Sequence, residues 1–235
     1  RGYSDEWQRI WNLKLREHKI DIERAMLFGM RGQTNSISYT DGVVGHIIAN
    51  SQGQLADEAQ VSYTEDKGYL KTIQASNWTY DDLLSDFEVI FDPARGGSGG
   101  KLGLASLPVI SHFNKLSGFI SKSFDADDAG SIAYNFERSQ GAFGHKIMKI
   151  ETIHGDLSLV KEPLFRGNSA GFLALVDLDH VSYRPLVGNG INRDTSITTN
   201  VQQADEDLRK DLILTEAGLE VTLPETHALI HLQGV

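Results

Sequence analysis

Leu208-Arg-Lys-Asp-Leu-Ile-Leu-Thr-Glu-Ala-Gly-Leu-Glu-Val-Thr-Leu-Pro-Glu-Thr-His-Ala-Leu-Ile-His-Leu232 is the stretch on which the fold turns. Apolar and polar residues alternate in two runs separated by Pro224, and a period of two marks strands that bury one face. The stretch carries no phosphate loop and no nucleophile beside a base, so it reads as scaffold. His227 and His231 stand four apart in a run that reads as a strand, where that spacing also puts them on one face. With no neighbouring Glu base and no third ligand, the pair does not make a zinc site.

Upstream of it, Phe172 to Val176 is a strand ending in Asp177, with Tyr183-Arg184-Pro185-Leu186 and a polar loop from Val187 to Thr195 after it. Ser131 to Phe136, His145 to Ile153 and Leu157 to Val160 are further β-rich runs, with Gly155-Asp156 as a tight-turn signal. The first half is helical. Residues 4–28 predict one helix, with Ser4 as N-cap, Asp5 and Glu6 in the first turn, and Trp7, Trp11, Leu15, His18, Ile22 and Ala25 in one stripe. Gly29 and Gly32 end it. About 25 residues rising ~1.5 Å each reach about 37 Å, a length suited to a spine across a flat subunit. Thr79 caps a second helix closed by Pro93, and a third runs from about Leu107 to Ile120. Between Asn35 and Tyr69 the signals are mixed. Helices first and mostly antiparallel strands later give the class α+β.

Composition narrows the function. Zero cysteines exclude disulfides, thiolate metal sites and cysteine nucleophiles, and fit a reducing compartment. The formal charge of −10 argues against a nucleic-acid reader, which needs a basic face. Arg9, Lys14, Arg16, Lys19 and Arg24 are interleaved with Glu17, Asp21 and Glu23, as on a solvated helix face. No apolar run reaches the ~20 residues of a membrane helix.

The chemical motifs are weak. Gly96-Gly-Ser98-Gly-Gly100 satisfies G-x-S-x-G, but a nucleophile elbow needs a strand before the serine and a helix after it. Here a helix and Asp92-Pro93 precede it. A triad of Ser98, Asp205 and His227 has the order of a serine hydrolase, which is the alternative reading of the chain. Gly100-Lys101 imitates a phosphate loop, yet Arg95 replaces the leading glycine and Leu102 the magnesium-holding hydroxyl. Asp125-Ala-Asp127-Asp128 fails as a calcium loop, because Ala129 and Phe136 occupy the fifth and twelfth positions. No catalytic residue, cofactor or metal is expected, and the chain is not expected to be an enzyme.

The long helix ending Leu27-Phe28-Gly29-Met30-Arg31 resembles the spine helix of tailed-bacteriophage major capsid proteins, the shell-forming family that shares its fold with encapsulins. Phe143-Gly-His-Lys-Ile-Met-Lys-Ile-Glu-Thr-Ile-His-Gly-Asp-Leu-Ser-Leu-Val160 is similar to a hairpin of that family. Val176-Asp177 through Tyr183-Arg184-Pro185-Leu186, Thr215 to Val221, and Glu225-Thr-His-Ala228 resemble the family's segments C-terminal to that hairpin. The resemblance implies a Hong Kong phage-type capsid fold, with a peripheral domain at 1–38 and 206–235 and an axial domain at 39–205. It also implies an N-terminal arm and an extended loop before the spine helix, so the chain is expected to be a shell subunit without them.

The function implied is a major capsid protein self-assembling into hexamers and pentamers of an icosahedral shell around the double-stranded DNA of a tailed phage. An encapsulin-like nanocompartment is the cousin reading. The partners implied are further copies of the chain, with portal, scaffolding or decoration proteins. DNA would be enclosed without specific binding, no membrane is involved, and shells would form in the host cytoplasm. Arg184, Asn189, Arg193 and Asp194 are the candidate inter-subunit contacts, placed by the resemblance near the ring axis. Leu219, Val221 and Leu223 are expected against the face of Trp7, Trp11 and Leu15.

Overall fold

A computed structural model of the chain describes residues 6–35, 37–51, 60–62, 68–95, 97–123, 136–140, 146–188 and 190–235. Its helices are α1 (Glu6–Phe28), α2 (Val43–Asn50), α3 (Tyr80–Ile90) and α4 (Leu107–Ser123). The early strands are β1 (Gly32–Thr34), β2 (Ile37–Tyr39), β3 (Gln60–Ser62), β4 (Tyr69–Gln74) and β5 (Gly100–Ala105). Then come β6 (Phe136–Gln140), β7 (Lys146–Glu151), β8 (Asp156–Lys161), β9 (Phe172–Val176) and β10 (Val181–Pro185). The last are β11 (Val187–Gly188), β12 (Ile191–Asn192), β13 (Thr195–Thr198), β14 (Leu212–Thr215), β15 (Ala217–Val221) and β16 (Ala228–Gln233). The class is α+β.

The chain forms two compact units, one of residues 1–45 and 182–220, the other of 46–181 and 221–235. Residues 182–205 thus group with α1 and 221–235 with the large sheet, at other boundaries than those expected from the resemblance. The cause is strand pairing. β13 pairs with β14, and β16 inserts between β4 and β9.

In the first unit, α1 turns the expected stripe inward: Trp7, Trp11, Leu15, His18 and Ile22 are half-buried, and Leu27 is buried. Ala25 is exposed, and the stripe runs from Ile22 through half-buried Met26 to buried Leu27, the drift of a period slightly above 3.5. The helix stops at Gly29, whose N–H bonds Ala25 O at 2.9 Å. Gly42 N–H then bonds Gly29 O at 2.9 Å, an approach so close that a Cβ on Gly42 would strike the Leu27 backbone. The hairpin β1–β2 lies between these two glycines in sequence. Among the described residues, two-stranded ribbons are formed by β1–β2, β10–β15, β11–β12 and β13–β14.

The second unit is built on an eight-stranded sheet in the order β3-β4-β16-β9-β5-β8-β7-β6. It is mixed: β16 runs parallel to β4 and β5 parallel to β8, while the remaining pairs are antiparallel. Every residue of β9 is buried, as are Ala228, Leu229, Ile230 and Leu232 of β16. Strands covered on both faces read as unbroken apolar runs, which is how β9 and the start of β16 look in the sequence. Leu157, Leu159, Leu173, Leu175, Ile230 and Leu232 share one core with Leu83, Phe87 and Ile90 of α3 and Val109 and Phe113 of α4. Each such side chain contributes about 1.5–3 kcal/mol on burial.

Thr79 caps α3 as expected, in a reciprocal capping box with Asp82. α4 extends to Ser123, three residues past the expected end. The mixed region holds α2, where Val43, Val44 and Ile47 are buried at helical spacing. β5 is not signalled by propensity, because Gly-Lys-Leu-Gly-Leu-Ala lacks the β-branched and aromatic residues that mark a strand. The expected N-cap at Ser4, the acidic turn at Asp125–Gly130 and the run 131–135 lie outside the described residues.

Candidate functional site

The second unit gathers its polar side chains where the loop before β5, the end of β9 and the turn before β16 meet. Ser98 N–H donates to Asp177 Oδ2 at 2.7 Å, and Ser98 Oγ lies 3.0 Å from the same oxygen and 2.7 Å from Gly100 O. Lys101, on the buried side of β5, donates to Thr226 O at 2.6 Å and stands 3.7 Å from Asp177 Oδ2. Arg95 Nε donates to Glu225 O at 3.0 Å. Asp177 N–H donates to His227 Nδ1 at 3.1 Å.

This arrangement does not form a hydrolase triad. Ser98 bonds a carboxylate and a carbonyl, while His227 Nδ1 is taken by the Asp177 amide and His227 Nε2 is buried without a partner among the described residues. Asp205 belongs to the first unit. The serine also precedes a strand, whereas the elbow requires it to follow one. Gly96 lies outside the described residues. Lys101, the would-be phosphate ligand, is fully buried and closes the turn before β16.

The electrostatics follow from burial. Burial pulls the Lys101 ammonium below its ordinary range, Asp177 opposes this, and Arg95 adds to it. Burial raises the Asp177 carboxyl, but donors from Ser98 and Asp179 and the charge of Lys101 outweigh it, leaving Asp177 below the usual carboxylate range. Burial, with Lys101 nearby, pushes His227 down to about 4, so the imidazole is neutral at pH 7. His231 is also lowered by burial, and its ring packs edge-on against Phe172 with centroids 5.0 Å apart. Among the described residues no group of three or more His, Asp or Glu side chains could hold a metal.

A second buried network lies under α3. Asp86 Oδ1 accepts from Tyr69 Oη at 2.7 Å and from Lys71 Nζ at 2.6 Å, and Asp86 Oδ2 accepts from Trp78 Nε1 at 2.9 Å. Burial and the Asp86 charge raise the Tyr69 phenol far above its ordinary value. Sequence reasoning missed both networks. Asp86 has the period of a core position on α3, beside Leu83, Phe87 and Ile90, and that was the available signal.

The candidate contact residues sit on the ribbons of the first unit. Arg184 pairs with Glu220 across β10–β15, and Arg193 Nη1 lies 3.2 Å from Glu216 Oε2. Asp194 accepts from Tyr183 Oη, a bond that holds the phenol up at about 12. Asn189 lies outside the described residues. The expected polar loop is in part the hairpin β11–β12, with Gly188 opposite Ile191 and Gly190 at φ +76° in its turn. Asn189-Gly190 is the sequence signal for that turn.

The strand that meets the Trp7 and Trp11 face is β14, where β15 was expected. Asp211 and Ile213 line a groove of about 290 Å³ with Trp7, Ile10, Trp11 and His18. His18 Nε2 lies 2.8 Å from Thr215 Oγ1, and the Arg209 guanidinium sits 4.6 Å from the Trp7 ring centre. Leu219 N–H of β15 instead bonds Thr40 Oγ1 at 2.9 Å. The register pairs Ile213 with Ile197 and Thr215 with Thr195 on the helix side, which leaves Leu212 and Leu214 on the other face. Those two leucines are 47% and 45% exposed.

The family model described as SU10 major capsid protein matches residues 1–233 of the chain. No curated protein matches it.

Proposed function

Because the chain belongs to the SU10 major capsid protein family, we propose that its first unit supplies most of the contacts by which copies tile a closed shell. The protein is a phage capsid shell protein, and its place is the virion capsid. The layout proposed is the Hong Kong phage-type one. Residues 1–45 and 182–220 act as the peripheral domain with α1 as spine, and 46–181 and 221–235 as the axial domain.

The observation carrying this reading is the outer face of β13–β14. A two-stranded ribbon is marginal in water, and this one presents Leu212 and Leu214 to solvent beside strand edges that no other described strand covers. A second copy of the chain is the occupant that a repeating shell provides. Leu186, Val187 and Ile197 are exposed in the same unit and add to the apolar surface available to it. Heterologous contacts that close into rings would give hexamers and pentamers, and the rings would tile an icosahedral shell. Arg184, Arg193 and Asp194 are proposed as rim contacts that exchange their own-chain partners for a neighbour's.

Double-stranded DNA is proposed as the cargo, held without specific binding by a chain of charge −10. Portal, scaffolding or decoration proteins are the proposed further partners, and the host cytoplasm the place of assembly. Negative-stain microscopy of the purified protein tests the reading: rings or closed shells are expected. A particle that stays monomeric at all concentrations, and hydrolyses an activated ester in a manner lost on Ser98→Ala, would overturn it.

A further inference from the structure

Among the described residues of the second unit, His227 is the histidine whose ring accepts a bond from a backbone amide at the end of a strand. The β9–β16 ladder ends at the pair Leu175–Ala228, so Asp177 lies beyond the last rung. Its own N–H donates to His227 Nδ1 at 3.1 Å and ties it to the turn before β16, while its carbonyl accepts His180 N–H at 3.2 Å. His227 is itself fixed: its N–H bonds Pro224 O at 3.2 Å and its carbonyl accepts Tyr69 N–H at 3.3 Å. Asp177 in turn holds Ser98 through two contacts, its Oδ1 takes Asp179 N–H at 3.2 Å, and Lys101 ties the same carboxylate to the turn before β16.

A neutral imidazole that accepts at Nδ1 carries its hydrogen at Nε2, and here Nε2 is buried without a partner among the described residues. Protonation adds a hydrogen at Nδ1, so two N–H donors then face each other across the contact. The groups acting electrostatically on this ring are Lys101 of β5, Asp177 after β9, His180 of the turn 178–180 and His46 of α2. Of these only Asp177 favours the charged ring, and its carboxylate is already engaged by Ser98, Asp179 and Lys101.

We propose that the His227–Asp177 contact is an acid-released latch: protonation of the ring frees the Asp177 amide, just past the end of β9, and loosens with it residues 97–99 before β5. The sheet itself stays paired, because the ladder from Phe172 to Leu175 does not depend on the imidazole. The sign is set by the ring's environment. In the closed state the imidazole titrates near 4, below the ordinary 6.5, so the open state binds more protons between those values. Closure is therefore fully favoured above about pH 6.5, weakens as pH falls, and has lost its full share below about pH 4. The inference stands independently of the shell reading.

Amide hydrogen exchange of the full chain from pH 7 to 4, corrected for the intrinsic rate, tests it. The Asp177 and Ser98 amides are expected to lose protection on the order of a hundredfold, while Leu173 and Leu175 keep theirs. His227→Gln, whose side-chain oxygen accepts without titrating, is expected to remove this pH dependence; His46→Gln and His180→Gln are expected to preserve it. Protection of Asp177 that does not change with pH, or is lost equally along β9, overturns the latch in the unmodified chain even if the Gln variant does not fold. Loss of the step in His180→Gln or His46→Gln overturns the assignment to His227.

Discussion

The two units solve the problem of burial in opposite ways. The second packs its apolar strands against α3 and α4 and completes its buried charges internally, with Lys71 and Asp86 under α3 and Lys101 and Asp177 beside β5. In the first unit, of the residues of α1 only Leu27 is buried, the strands stand in ribbons of two, and leucines face solvent. Among its described ion pairs, Glu6–Arg9, Lys14–Glu17, Arg184–Glu220 and Arg193–Glu216 stand in high dielectric, while Arg209–Asp211 buries its aspartate side chain. On the proposed reading, the sheet-built second unit is expected to hold its fold by itself, and the ribbon-built first unit to gain stability from a neighbour.

The sharpest way to break this comparison is to remove a buried charge. Asp86→Ala leaves Lys71 uncompensated and the Tyr69 and Trp78 donors unpaired, so it is expected to cost about 3–5 kcal/mol in chemical denaturation. A loss under ~1 kcal/mol would mean that the second unit is not closed as described. Leu173→Ala removes a fully buried side chain of β9 and is expected to cost about 2–5 kcal/mol. The matching change in the first unit, Leu214→Ala, is expected to cost the unassembled subunit under ~1 kcal/mol while slowing or blocking particle formation measured by light scattering. Equal effects of the two leucine changes on subunit stability would erase the distinction. Smallest is Arg193→Ala, expected to shift subunit stability by at most ~1 kcal/mol, because the pair with Glu216 is exposed. Its assembly defect should shrink as salt rises if the arginine meets a neighbour's carboxylate.

Much of this was legible in the chain because period and capping are local. The stripe of α1, the Thr79 cap and the unbroken apolar run of β9 each need only neighbours in sequence. β5 was hidden because its strand character comes from position: flanked by β8 and β9, it tolerates two glycines and a lysine that propensity opposes. The unit boundaries were hidden for the same reason, since nothing within Ala228–Gln233 says that it inserts beside β4. The candidate site divides likewise. The G-x-S-x-G match named Ser98, but the partner that occupies it, Asp177, lies 79 residues away and was read only as the end of a strand.

The measurement that tests the central claim most directly is hydrogen exchange of assembled particles against dissociated subunits. Large gains in protection on assembly are predicted for α1 and β13–β14, with β9 and β16 already protected in the free subunit. Gains confined to the second unit, with α1 and β13–β14 unchanged, would contradict it.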